Sequence, residues 1–175
     1  MIISKCVVEQ LEQLATKGPE AVAAAFIESR EQREYIIGVP TQDQGPGIAV
    51  TITDYDRYSI ALANLEVTYK NRFGVDYDLR QHAEDVANRL NYLDEPLALV
   101  ELDTEKNVAQ LRSHRPHQDN ETATYWEVMI STEPYLRATL TRYCWSPQRS
   151  DRERSIYPAT FATVGRIASD LALCL

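Results

Sequence analysis

Three arginines, Arg149, Arg152 and Arg154, are the side chains of this sequence best suited to hold a ligand. They lie in a loop flanked by Pro147 and Pro158, directly before a predicted helix that starts near Pro158. Guanidinium groups form charge-assisted hydrogen bonds with carboxylates and phosphates, and the first turn of a helix adds unpaired N–H groups. The pattern predicts a site for a small anion or an acidic partner. In the alternative interpretation, the loop is solvated and its arginines pair with acidic side chains of the same chain.

Two other groupings contain the residue types of metal ligands. His114 and His117 lie with Asp119 in a polar segment, but zinc requires a third protein ligand at least, and the nearest cysteine, Cys144, lies in another predicted strand. The Asp-Tyr-Asp runs at 54–56 and 76–78 have carboxylates of the kind that bind Mg²⁺ or Ca²⁺. One run falls at a predicted turn and the other at a predicted helix N-cap, where aspartate is favoured for structural reasons. We therefore expect no metal site.

Known motifs for catalysis and for cofactor binding are missing from the sequence. It contains neither the GxSxG motif nor the glycine-rich loops that bind nucleotides. Cys6, Cys144 and Cys174 lie far from histidines in the sequence, although catalytic residues can meet in space. Their odd number and the lack of a CxxC pair predict free thiols in a reducing compartment, so we place the protein in the cytoplasm. No catalytic residue and no cofactor is predicted.

The charge of the chain restricts its partners. A net charge of −8 argues against binding to nucleic-acid backbones or to anionic membranes. The longest apolar run, 21–27, is too short to span a bilayer. The charge is also uneven, because the segment 137–166 carries a balance of +4 and the segment 1–136 a balance of −11. This opposition, together with ten tyrosines, favours a protein partner or self-association as a homodimer.

Hydrophobic patterning shows which elements position these residues. Apolar and polar residues alternate on both arms of a predicted β-hairpin over 122–145, and Pro134 ends the pairing between them. A second hairpin is predicted over 97–112. The segment 1–39 has apolar residues at helical spacing around a Gly-Pro break and predicts a helical hairpin. The polar segment 40–47, rich in proline and glycine, predicts a loop.

These elements predict a single α+β domain over 1–175, with a curved antiparallel sheet of about six strands packed by helices. The predicted order, α-α-β-β-α-β-β-β-β-α, resembles the NTF2-like fold and, more weakly, the small acidic α+β folds of secretion chaperones. The first resemblance implies a curved sheet that often holds a ligand pocket. Two functions are compatible with this architecture, and we favour the first. The first function is that of a non-catalytic cytoplasmic binding or adaptor protein. The alternative is a small-molecule-binding protein or a small enzyme of isomerase or hydrolase type.

Overall fold

The computed structural model of this protein describes residues 2–28, 33–41, 45–70 and 78–175, and it has an α+β architecture. Within these residues there are three α-helices: α1 (Ile2–Lys17), α2 (Leu79–Arg89) and α3 (Phe161–Cys174). The same residues form eleven strands: β1 (Ala23–Glu28), β2 (Arg33–Val39), β3 (Gly47–Tyr55), β4 (Ser59–Tyr69), β5 (Leu97–Asp103), β6 (Val108–Ser113), β7 (His117–Asp119), β8 (Thr122–Ser131), β9 (Leu136–Trp145), β10 (Glu153–Arg154) and β11 (Tyr157–Thr160). The prediction of an antiparallel sheet packed by helices is confirmed, but the strands outnumber the six expected.

The sheet joins two sets of hairpins through one central pairing. Its eight main strands follow the order β1-β2-β3-β4-β9-β8-β6-β5, and the pairings among them are antiparallel. The three short strands extend it, since β7 pairs with β8, β10 with β9 and β11 with β4. Because β9 lies beside β4, residues far apart in the sequence meet across the middle of the sheet.

One face of the sheet is apolar from edge to edge, and the helices pack on it. Strand register places eight residues in a single row across the main strands: Ala24, Ile37, Val50, Leu65, Leu140, Val128, Leu111 and Leu99. Six of them are fully buried, as are Val7, Leu11 and Leu14 of α1. Burying a side chain of this size stabilises the fold by roughly 1.5–3 kcal/mol, so this row is a main source of stability.

The helices approach one another closely over this face. A Cβ placed on Gly165 of α3 would lie 2.8 Å from the carbonyl oxygen of Ser4 in α1, so only glycine permits this crossing. The α2 helix begins where the sequence predicts, because the side chain of Asp78 accepts a hydrogen bond from the backbone N–H of Gln81. Among the described residues, no helix combines the length and the apolarity needed to cross a bilayer.

The predicted helical hairpin over 1–39 is wrong in its second half. A short 3-10 helix (Pro19–Ala21) follows α1, and the chain then forms β1 and β2. The β-branched and aromatic residues of β2 are favoured in strands, and pairing with β3 overrides the helical spacing. Of the predicted loop at 40–47, residues 42–44 lie outside the described residues, and β3 already begins at Gly47. The organisation as a single domain stays a prediction.

The last helix begins later than predicted. Pro158 lies in β11, opposite Ala61 of β4, whereas α3 starts at Phe161. Thr160 is the N-cap, since its side chain accepts a hydrogen bond from the backbone N–H of Thr163. Among the described strands, β11 pairs only with β4, and such edge positions tolerate proline.

Candidate functional site: the open face of the sheet

The face of the sheet opposite the helices, here called the open face, has a polar centre. Register places a second row of eight residues there: Ala25, Ile36, Thr51, Asn64, Thr141, Glu127, Arg112 and Ala98. The row is apolar or small at its two ends and hydrogen-bonding in the middle. Thr141 donates to the side-chain oxygen of Asn64 at 3.1 Å, which couples β9 to β4. Side chains on one face of neighbouring strands stand close enough to act together.

Glu127, in the middle of this row, is a buried carboxylate with three donors around it. Only 2% of its surface is exposed. Its Oε2 atom accepts hydrogen bonds from Gln110 Nε2 at 2.6 Å, from Arg112 Nη2 at 3.0 Å and from Arg152 Nη1. A buried charge is stable only when it is paired and hydrogen-bonded, and both conditions are met here. One carboxylate and two guanidinium groups give this network a net positive charge.

Each of the two guanidinium groups also lies against a tyrosine ring. The Cζ atom of Arg152 is 4.0 Å from the ring centroid of Tyr143, and that of Arg112 is 5.0 Å from the ring centroid of Tyr125. The two rings are themselves neighbours, with centroids 6.0 Å apart. A cation over an aromatic face is attracted by the ring quadrupole. The side chains of Arg112 and Arg152 remain 37% and 36% exposed, so both cations are accessible from the open face.

Arg152 reaches Glu127 from a segment outside the main strands. This segment, residues 146–155, connects β9 to β11 and is here called the strap. It includes β10, and its last backbone N–H, from Ser155, donates to the carbonyl of Arg142 at 2.8 Å. From the strap the Arg152 side chain lies across Tyr143 of β9 and contacts Glu127 on β8. The side chain of Arg152 thus lies over the buried centre of the open face.

The three arginines singled out by sequence do not converge. Each forms an ion pair with a different carboxylate of its own chain. These pairs are Arg149 with Glu153, Arg152 with Glu127, and Arg154 with Glu34 at 2.7 Å. The expected cluster of guanidinium groups before α3 is therefore not observed, because nearby acids already neutralise each charge. These pairs are those of the alternative interpretation, and the site for a small anion or an acidic partner at these three arginines stays a prediction.

A second buried ion pair lies on the helix side of the sheet. Arg142 Nη2 is 2.8 Å from Glu95 Oε1, and the Arg142 guanidinium lies over the rings of Trp126 and Tyr157. Burial raises the pKa of the Tyr157 hydroxyl above its ordinary value, and the charge of Asp94 adds to that effect. This group connects the end of β9 to β11 and to the chain that follows α2. We assign it a structural role.

The other candidates from sequence take up local structural positions. His117 and Asp119 lie exposed on β7. The carboxylate of Asp56 accepts the backbone N–H groups of Tyr58 and Ser59, which lowers its pKa and closes the β3–β4 turn. Within 2–28, 33–41, 45–70 and 78–175, no three His, Cys, Asp or Glu side chains gather into a metal site. Asp76 lies outside the described residues.

One cysteine and one histidine that are distant in sequence do approach each other. The contact joins His82 Nδ1 and the backbone carbonyl oxygen of Cys174. Burial raises the pKa of the Cys174 thiol to about 11. At neutral pH this thiol is therefore protonated, and a protonated thiol is a poor nucleophile.

Two of the larger cavities lie on the part of the surface that the structure describes. One, of about 440 Å³, lies at the margin of the open face and is lined by Glu66, Thr68, Lys70, Tyr135 and Arg137, among others. The other, of about 720 Å³, is a groove between α1, the β3–β4 turn and the start of α3. The first brings charges of both signs together, since Arg137 Nη1 lies 3.9 Å from Glu66 Oε2.

Comparison with known proteins gives no relative for this chain. No protein-family model matches it, no curated protein matches it, and no solved structure matches it. The function is therefore inferred from the side chains of the open face.

Proposed function

We propose that this protein is a non-catalytic cytoplasmic binding or adaptor protein that holds a protein partner on its open face. The observation that carries the proposal is the set of side chains accessible there. Strand alternation places Met129 of β8 and Trp145 of β9 on this face, and both are exposed. Arg112 presents its guanidinium group on the same face, where its side chain is 37% exposed. Methionine, tryptophan and arginine are the residue types enriched where proteins bind one another.

The central network favours recognition over acid–base chemistry. The Oε2 atom of Glu127 already accepts hydrogen bonds from two guanidinium groups and an amide. A general base needs a lone pair directed at the proton it removes, within hydrogen-bond reach of the substrate. The same contacts hold Arg112, on a strand of the sheet, in a fixed position. Side chains fixed before binding lose less conformational entropy on association.

Affinity capture with matched variants tests the proposal. Met129→Arg places a bulky charge on the open face, and Leu173→Arg makes the same kind of change at an exposed position of α3. We expect a partner captured by the wild type and by Leu173→Arg to be lost with Met129→Arg. Equal capture by all three proteins, with circular dichroism showing each folded, would contradict the proposal.

The alternative function, a small-molecule-binding protein or small enzyme, is favoured by one observation, the cavity beside Arg137. Its charged lining offers convergent polar groups of the kind that orient small ligands. Thr68→Trp would fill this cavity and leave Met129 unchanged. A compound that stabilises the wild type and Met129→Arg, but not Thr68→Trp, would favour the small-molecule function, including the NTF2-like pocket that the predicted element order implied.

A further inference from the structure

The two arginines that donate hydrogen bonds to Glu127 lie in structurally different segments of the chain. Arg112 belongs to β6, which pairs with β5 on one side and with β8 on the other. Arg152 belongs to the strap, of which only two residues pair with β9. One guanidinium group is therefore fixed by the sheet, and the other is attached through a segment with few backbone hydrogen bonds. Segments of this kind open at a lower free-energy cost than the strands of a sheet.

The position of the Arg152 guanidinium is itself a binding pocket for a planar cation. Its wall is the ring of Tyr143, at 4.0 Å from the Arg152 Cζ atom, and its base is the carboxylate of Glu127. The ring of Tyr125, whose centroid lies 6.0 Å from that of Tyr143, borders the same pocket. A ring face combined with a carboxylate suits guanidinium better than ammonium, because guanidinium is planar, stacks on rings and is more weakly hydrated.

Withdrawal of Arg152 would leave this pocket intact. Glu127 would still accept hydrogen bonds from Gln110 and Arg112. Its negative charge would therefore stay compensated, which avoids the large cost of an unpaired buried charge. The pair of Arg149 with Glu153 lies within the strap and is mostly exposed, so it does not hold the strap to the sheet. Arg154 does hold the end of the strap, through Glu34 of β2 at 2.7 Å, so the part that withdraws is the part that precedes Arg154 and carries Arg152.

We infer that Arg152 occupies a guanidinium-binding site on the open face that an arginine side chain of the partner protein fills when the strap withdraws. This inference rests on the proposed function and specifies the chemistry of the partner, a segment bearing an arginine. In the unbound protein the strap is autoinhibitory, because it lowers the apparent affinity in proportion to the time it spends closed.

A titration with a minimal probe tests the inference without the partner. The probe is the blocked tripeptide acetyl-Gly-Arg-Gly-amide, followed through the backbone amide signals of Glu127 and Tyr143 by NMR. Arg152→Ala empties the site, and we expect it to bind the probe at least about tenfold more tightly than the wild type. The matched control is Arg149→Ala, which removes another strap arginine and should bind as the wild type does. The lysine tripeptide should bind Arg152→Ala more weakly than the arginine tripeptide.

The double variant Arg152→Ala/Glu127→Gln shows whether the tighter binding of the probe depends on this pocket. We expect the double variant to lose the increase in affinity that Arg152→Ala gives. If Arg152→Ala does not fold, Arg152→Gln replaces it, since glutamine still donates to Glu127 but carries no charge. The inference is overturned if the folded variant binds no more tightly than the wild type, or if the double variant keeps the gain. A negative titration combined with a partner that Met129→Arg loses would show that the open face binds by other chemistry. The proposed function would then stand without this inference.

Discussion

Replacing Glu127 with glutamine measures how much the centre of the open face contributes to stability. Glutamine keeps the shape of the side chain and one acceptor oxygen, but it removes the charge that two guanidinium groups share. The amide N–H group of glutamine would also face a guanidinium N–H group, and two donors form no hydrogen bond with each other. The carboxylate is almost fully buried, so water cannot replace the lost interactions on its side.

The magnitude follows from the contacts. A hydrogen bond to a charged group contributes about 1.5–3 kcal/mol, and Glu127 accepts several. The side chains of Arg112 and Arg152 are each more than one-third exposed, so water partly solvates these two residues after the change. We therefore expect Glu127→Gln to lower the free energy of unfolding by about 1–3 kcal/mol. Urea denaturation followed by tryptophan fluorescence measures it, since Trp126 is buried one residue away.

The matched control is Glu66→Gln on the same face. Its ion pair with Arg137 has an N–O distance of 3.9 Å, and both side chains are substantially exposed. Such pairs contribute little, so we expect a loss below about 0.5 kcal/mol. A loss at Glu127→Gln no larger than at Glu66→Gln would refute the account of the buried network.

Four further outcomes are expected. Leu90→Ala and Trp126→Ala should each lower the free energy of unfolding by about 2–5 kcal/mol in denaturant melts, because both side chains are buried in the core. Gly165→Ala should destabilise by about 1–3 kcal/mol in the same melts, although alanine normally favours helices, because its Cβ would overlap the carbonyl of Ser4. The thiol of Cys174 should react with iodoacetamide at pH 8 at least tenfold more slowly in the native protein than in urea, because its pKa in the folded protein is about 11 and so exceeds the ordinary value. For the same reason the thiol ionises first in the unfolded chain, so the free energy of unfolding should fall as pH rises above about 9. Light scattering after size exclusion should give about twice the chain mass of 19.9 kDa, as the homodimer prediction requires, and a monomer at all micromolar concentrations and at low and moderate salt would exclude it.

The parts of the fold that depend on neighbouring residues could be predicted from sequence. Alternation of apolar and polar residues identifies the β8–β9 hairpin, and the Asp78 cap identifies the start of α2. A change in the alternation near Ala63 predicts a bulge, and the register of β3 and β4 does shift there. These signals are local, because strand and helix periodicities are set by the backbone geometry of each element.

The parts that depend on strand order could not be predicted. The apolar residues of the segment 19–39 have helical spacing, but β2 pairs with β3, and no local pattern in the sequence predicts that pairing. The site has the same difficulty, since Arg152 pairs with Glu127 from 25 residues away and Arg154 pairs with Glu34 from the other end of the chain. The pairing of β10 with β9 brings Arg152 to Glu127 on the neighbouring β8, and the placement of β9 beside β4 brings Arg154 towards β2. The sequence offers one signal for a buried carboxylate, which is that Glu127 is a charged residue among apolar ones in an alternating strand.

Site-specific photo-crosslinking tests most directly whether the open face holds the partner. A photoreactive phenylalanine analogue at Thr139, which lies beside Met129 on the open face, would touch a bound protein, whereas the same analogue at Leu173 lies on an exposed position of α3. We expect a crosslinked partner of defined mass from Thr139 and none from Leu173, with the partner's crosslinked peptide identified by mass spectrometry. A crosslinked partner from Leu173 and none from Thr139 would contradict the central claim and place binding on the helical side.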